Sequence, residues 1–201
     1  MRYYHGTANI NAYKIIKNQR FKNPSYNVDA ILWEGTRQKI KVPGSLGYGI
    51  YTFIDNPNLA LEFARKENEE PVVLEVSLKN INKTNLLDLT KKEHINQFQK
   101  FASYGKKAEK AQEIFNAFKD QHKIIGTSQD VYAGIMTELF IAFLKKEKFI
   151  VRYVKKHTET LLPPNGNGYQ RLGLFNGTEF TIRYPDVDVT EIKKYSFKEE
   201  A

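Results

Sequence analysis

Strand-like segments at both ends of the chain enclose a long helical block, and this order limits the fold more than any other feature. Residues 1–7 are aromatic and extended in character. A small helix follows, with Asn9 as its cap and Ile10, Tyr13 and Ile16 as an apolar stripe at helical spacing. GIYTF (49–53) and the β-branched VVLEVSL (72–78) read as strands, as do residues 149–154, 171–175, 179–184 and 189–195. Residues 22–49 are rich in Asn, Pro and Gly and read as loop, with a short strand at 30–33 at most. Asn56 followed by Pro57 marks a helix start, with Ala60, Phe63 and Ala64 as its inner face. Residues 91–104 and 107–118 carry apolar positions three and four apart. A third helix capped by Thr127 or Ser128 runs to Lys146 and is apolar nearly all round. The expected architecture is an α+β sheet domain spanning 1–201, with 91–147 as an inserted helical lobe.

Composition bounds the function. With 201 residues and 41% hydrophobic side chains, the chain can close a core around a small-molecule site. It has no cysteine, which removes thiol nucleophiles, disulfides and thiolate metal sites. The net charge of +8 points mildly to an anionic partner. The first residues lack the apolar core of a secretion signal, and the greasiest run, 135–144, is broken by Thr137 and Glu138, so a cytoplasmic protein with no membrane association is expected.

Common sites can be struck out. There is no G-x-x-x-x-G-K-[ST], so no P-loop is expected. PGSLGYG has the wrong spacing for a dinucleotide-binding turn, and a serine triad has no G-x-S-x-G elbow. His5, His94, His122 and His157 are scattered without H-E-x-x-H, so no metal is expected.

What remains is an ordered set: YHGT at 4–7, GYGIYTF at 47–53, an A-x-x-F helix segment at 60–63 and GTEFTIRYPDVDV at 177–189. This set resembles the ADP-ribosyltransferase superfamily of the His-Tyr-Glu class, shared by diphtheria-toxin-like and poly(ADP-ribose)-polymerase-like domains. In that class one strand carries His-Gly-Ser/Thr. A second carries G-x-G-[IFL]-Y before a helix bearing an aromatic, and a later strand opens with the catalytic Glu. The resemblance covers about half of the chain and leaves 79–148 unmatched. It implies a split mixed or antiparallel sheet and NAD+ as co-substrate.

The residue types suit that chemistry. Breaking the bond between the cationic nicotinamide and its ribose leaves an oxocarbenium-like sugar, much as in glycoside hydrolysis. A site must clamp the nicotinamide and put negative charge near the developing cation. By resemblance, Gly6 offers backbone hydrogen bonds to the nicotinamide amide, Thr7 adds its hydroxyl, and His5 binds a ribose hydroxyl of the adenosine half. Gly49, just before Tyr51, is a further NAD+-binding position, and Tyr51 and Phe63 sandwich the nicotinamide ring. Glu179 binds the nicotinamide-ribose 2′-OH and stabilises the cation. Phe63 falls one residue later after Tyr51 than in the family pattern. Glu138 competes for the catalytic role, but its place in an apolar helix suits a buried, paired carboxylate.

Gly177 stands two residues before Glu179, where arginine-modifying relatives carry Glu or Gln, so a conventional arginine-modifying toxin is not expected. Single ADP-ribose transfer is the safer expectation, with nucleic acid as the leading acceptor. Residues 141–157 carry a net +5 from Lys145, Lys146, Lys148, Arg152, Lys155 and Lys156 against Glu147, and Lys100, Lys106, Lys107 and Lys110 form a second group. The segment before the catalytic strand offers Tyr169, Gln170 and Arg171 to an acceptor. Protein modification, NAD+ hydrolysis and a non-enzymatic binding module stay open. The setting implied by resemblance is a toxin or phage-defence effector neutralised by a cognate antitoxin.

Overall fold

A computed structural model describes residues 1–22, 42–66, 68–79, 81–121, 128–159 and 174–197. The chain forms β1 (Tyr3–Ala8), α1 (Asn9–Asn18), β2 (Ile50–Ile54), α2 (Pro57–Arg65), β3 (Pro71–Leu78) and β4 (Leu86–Asp88). Then come α3 (Lys92–Ala102), α4 (Gly105–Gln121), α5 (Ser128–Lys146), β5 (Tyr153–Thr158), β6 (Gly177–Ile182), α6 (Pro185–Asp188) and β7 (Val189–Lys194). The fold is α+β. It divides into two compact units, one of Met1–Asn23, Gly49–Ile81 and Lys155–Ala201, the other of Pro24–Tyr48 and Asn82–Val154. Among the described residues no helix is long and apolar enough to cross a membrane.

In the first unit the strands lie in the order β5–β6–β2–β1–β3–β7. The pairs β1–β2, β1–β3, β2–β6 and β3–β7 are antiparallel. β1 pairs with β3 along its whole length, Tyr3↔Val76 to Ala8↔Pro71, whereas its ladder with β2 comprises only Tyr3↔Ile54 and Tyr4↔Phe53. One sheet face is covered by α2, where Tyr4, Phe53, Leu59, Ala60 and Val73 form a buried cluster. On the other face Tyr3 packs on Phe180 at 4.6 Å between ring centroids.

α2 starts as its sequence dictates, with Pro57 at the first position and the Asn56 side chain accepting from Leu59 N at 2.9 Å. Ala60 and Ala64 are buried as expected, but Phe63 is largely exposed at the edge of that face. α1 differs from expectation. Asn9 is its first residue rather than its cap, Ala8 holds the cap position, and Ile10 and Tyr13 are exposed. Ala12 is its buried residue, because a ten-residue helix beside the sheet seats only a narrow strip, here a small one. The Gln19 side chain then bonds the backbone of Ile192 on edge strand β7 in both directions, at 2.9 and 3.0 Å.

The second unit holds α3, α4 and α5, with β4 beside the start of β5. β4 is a strand that the sequence reading lacks. Val131, Ile135, Leu139 and Phe140 of α5 are buried, while Phe143 is partly exposed. The strand expected at 149–154 instead begins at Tyr153 and runs to Thr158. Lys148 adopts a left-handed conformation (φ 64°) at the end of α5, Ile150 is exposed, and Arg152 N and Tyr153 N both donate to Asn85 O. Leu174 and Phe175 are exposed and outside any strand, and the last strands are β6, ending at Ile182, and β7. The short strand read at 30–33 and residues 171–173 lie outside the described residues.

Candidate active site

His5, Tyr51 and Glu179 come from three successive strands of the first unit, β1, β2 and β6. The β2–β6 register places Phe53 opposite Glu179 and Tyr51 opposite Thr181. Because side chains alternate along a strand, Tyr51, Phe53, Glu179 and Thr181 share one face. Tyr51 and Glu179 are therefore diagonal neighbours across a ladder, a spacing of about 7–8 Å. The β1–β2 register puts Tyr4 and Gly6 on that same face, with His5 and Thr7 on the other.

The β1–β2 ladder ends immediately before His5, and the His5 side chain takes up the next position. Its Nδ1 lies 2.8 Å from the carbonyl oxygen of Tyr51. A carbonyl only accepts, so Nδ1 carries a proton, and in the neutral form of the ring Nε2 is the acceptor nitrogen. The Phe21 ring packs edge-to-face with the imidazole at 5.2 Å between centroids, fixing its orientation. Beyond this point β1 continues through Gly6 and Thr7 along β3.

α2 closes the face carrying Tyr51 and Glu179 at three places. Gly6 lies against the backbone of Ala60, so tightly that a Cβ there would sit 2.8 Å from the Ala60 carbonyl carbon. Gly177 lies against Leu59 Cδ2, so a side chain at this position would have to displace the end of Leu59. Phe63 contacts Phe53 at 5.7 Å, and Lys66 Nζ lies 5.1 Å from the Phe63 ring centre. The aromatic partner of Phe63 here is thus Phe53. Glu179 is buried, 8% exposed, and Tyr51 and His5 are half-buried. A carboxylate in such surroundings acts on a nearby positive charge far more strongly than one in water.

Gly49 adopts φ 149° and packs on Thr181 and Ile182, which only glycine permits. Thr181 is fully buried, and its Oγ1 has no hydrogen-bond partner among the described residues. Parity with Glu179, two residues away, is the signal that could have placed Thr181 beside the site. Phe53 carries the same signal through Tyr51, two residues before it, whereas Phe21 carries none.

Glu138 belongs to a separate arrangement in the second unit. Its Oε1 accepts from Tyr48 N at 2.7 Å and lies against Gly47, whose φ is 80°. One helical turn earlier, Gly134 admits the carbonyl of Gly44. The turn 44–47, closed by Gly47 N donating to Gly44 O, is thereby seated on α5. Glu138 is the buried, bonded carboxylate that its apolar helix implied.

The residues expected to bind an acceptor fall in several segments of the chain. Lys145 and Lys146 are exposed at the end of α5, and Arg152 precedes β5. Lys155 and Lys156 are consecutive in β5, so they project to opposite faces of it. Tyr169, Gln170 and Arg171 lie outside the described residues. The chain matches no family model, no curated protein and no solved structure.

Proposed function

We propose that this chain is a mono-ADP-ribosyltransferase that cleaves NAD+ at the nicotinamide–ribose bond and passes ADP-ribose to a nucleic acid. The observation that carries the reading is the early end of the β1–β2 ladder at Tyr4/Phe53, with His5 bonded to the Tyr51 carbonyl at that point. A strand continuing past its ladder presents N–H and C=O groups along one edge, and a carboxamide offers one donor and one acceptor group to match. On this reading Gly6 and Thr7 hold the nicotinamide amide in this way. His5 Nε2, as an acceptor, suits a ribose hydroxyl.

Glu179 stands diagonal to Tyr51 on the same sheet face, so a ring resting on Tyr51 brings its attached ribose toward the carboxylate. There the Glu179 charge opposes the positive charge that builds on the sugar carbon as the bond to nicotinamide lengthens. NAD+ supplies the ADP-ribosyl group and a good leaving group, while the protein supplies position and charge. Gly177, covered by Leu59, leaves acceptor choice to residues outside the catalytic strand. The net charge of +8 favours a polyanionic acceptor. The biological setting we propose is a toxin or defence effector restrained by an antitoxin.

Incubation with adenylate-labelled NAD+ and cell extract, followed by separate nuclease and protease digestion, tests the reading. Label that nuclease releases and protease does not is the expected result. Label on protein, or free ADP-ribose alone, would move the assignment to protein modification or to NAD+ hydrolysis. Intact NAD+ would refute it.

A further inference from the structure

We infer that the second unit carries a binding surface for single-stranded nucleic acid, built where the end of α3, the start of α4 and the end of α5 present aromatic rings among lysines. Phe101 of α3 packs on Phe143 of α5 with 5.4 Å between ring centroids and 37° between planes, and Lys107 Nζ of α4 lies 5.4 Å from the Phe101 ring centre. These contacts bring the three elements together at one place. Two rings there are turned outward. Tyr104, between α3 and α4, is 64% exposed, and Phe143 is 41% exposed. Phe143 is held from behind by Phe140, stacked at 18° between ring planes, so it is a fixed platform.

Lysine outnumbers acid around these rings, with Glu109 and Glu147 as exposed acids of the same segments. Lys100 lies on the last turn of α3, Lys107 on the first turn of α4, and Lys146 one turn beyond Phe143 on α5, all exposed. Lys110, further along α4, is taken up by Glu113 at 2.8 Å and is not counted. Rings flanked by ammonium groups match a ligand that offers flat π faces and phosphates at short intervals. A duplex hides its base faces in the stack, whereas a single strand exposes them, so the single strand is the occupant that uses both features. A protein partner would gain from the rings but would need an acidic face to meet the lysines.

This inference rests on the nucleic-acid acceptor reading, but binding can be measured without NAD+. Fluorescence anisotropy of a fluorescein-labelled oligouridylate of about 20 nucleotides, against an RNA duplex of equal phosphate count, is the experiment. Tighter binding of the single strand is expected. Tyr104→Ala should weaken it about tenfold, the scale of one lost base-stacking contact. Lys107→Gln and Lys146→Gln should each lower the slope of log affinity against log salt by about 0.7. Tyr13→Ala removes a comparably exposed tyrosine (66%) on α1 and should change nothing. Circular dichroism of each variant reports whether the fold is kept, and Tyr104, lying in a turn, is the substitution least able to disturb it.

Equal affinity for duplex and single strand, or unchanged binding by Tyr104→Ala, would overturn the inference. A chain that consumes NAD+ but binds neither oligonucleotide would overturn it and leave the NAD+ chemistry standing. One that binds the single strand through Tyr104 and leaves NAD+ intact would do the reverse.

Discussion

Gly6→Ala puts one methyl group where β1 meets α2. The new Cβ would fall inside contact distance of the Ala60 carbonyl oxygen, 2.8 Å from its carbon and 2.9 Å from Ala64 Cβ, where ordinary contacts run 3.4–4 Å. Two of the three atoms belong to the helix backbone, so no rotamer change relieves the clash. α2 must move away from the sheet, and Leu59, Ala60 and Ala64 then lose part of their packing. Overpacking of this kind costs about 1–3 kcal/mol, and a backbone obstacle places Gly6→Ala near the upper end. Stiffening of the unfolded chain offsets about 0.4–1 kcal/mol. The net loss expected is about 2 kcal/mol, or about 1 M in the urea midpoint for a chain of this size. Gly105→Ala is the control, since a Cβ there meets nothing within 4 Å and should leave the protein unchanged or slightly more stable. If both variants unfolded at the wild-type urea concentration, the close approach of α2 to Gly6 would be wrong. Gly6 would then owe its presence to the ligand alone.

Thr181→Val removes a buried hydroxyl that has no partner among the described residues, and thermal or urea unfolding should show a gain of about 1 kcal/mol. Tyr51→Phe keeps the ring face and should bind NAD+ within a few-fold of wild type, while Tyr51→Ala should bind it about tenfold or more weakly by calorimetry. Equal damage from the two would place the role in the hydroxyl. Burial, and then the charge of Asp55, push the Tyr3 phenol up to about 12 from an ordinary value near 10. The folded state therefore holds this proton more tightly than the unfolded chain. Its contribution is complete below about pH 10 and is lost as pH rises toward 12. Urea midpoints across that window should fall less steeply in Tyr3→Phe than in wild type.

Segments whose conformation is set by their own residues were legible in the sequence. α2 announces itself because Asn56 and Pro57 act within one turn, and β3 and β7 because their β-branched residues leave few alternatives. β4 was not legible. Leu86, Leu87 and Asp88 carry no period, and the strand exists because the neighbouring chain at β5 lies beside it. The same pairing decides where β5 begins, since Phe149, Ile150 and Val151 have strand-forming side chains that the left-handed Lys148 and the bonds to Asn85 O exclude from the ladder. Ile10 and Tyr13 have helical spacing, but the sheet seats Ala12. At the candidate site the residue types were legible and the distances were not. The bond from His5 to the Tyr51 carbonyl joins residues 46 apart. The glycine at 177 was read through its acceptor role, whereas Leu59 supplies a packing reason for it.

The central claim is that the Glu179 carboxylate drives loss of nicotinamide from NAD+. Nicotinamide release by wild type and by Glu179→Gln, each beside a calorimetric NAD+ titration, tests it most directly. The glutamine keeps the size and the hydrogen-bonding oxygen of Glu179 and removes the charge. The expected result is measurable release by wild type, a fall of about 10²-fold or more in the variant, and NAD+ affinity within a few-fold. Release by Glu179→Gln at the wild-type rate, or none from wild type with any acceptor present, would contradict the claim.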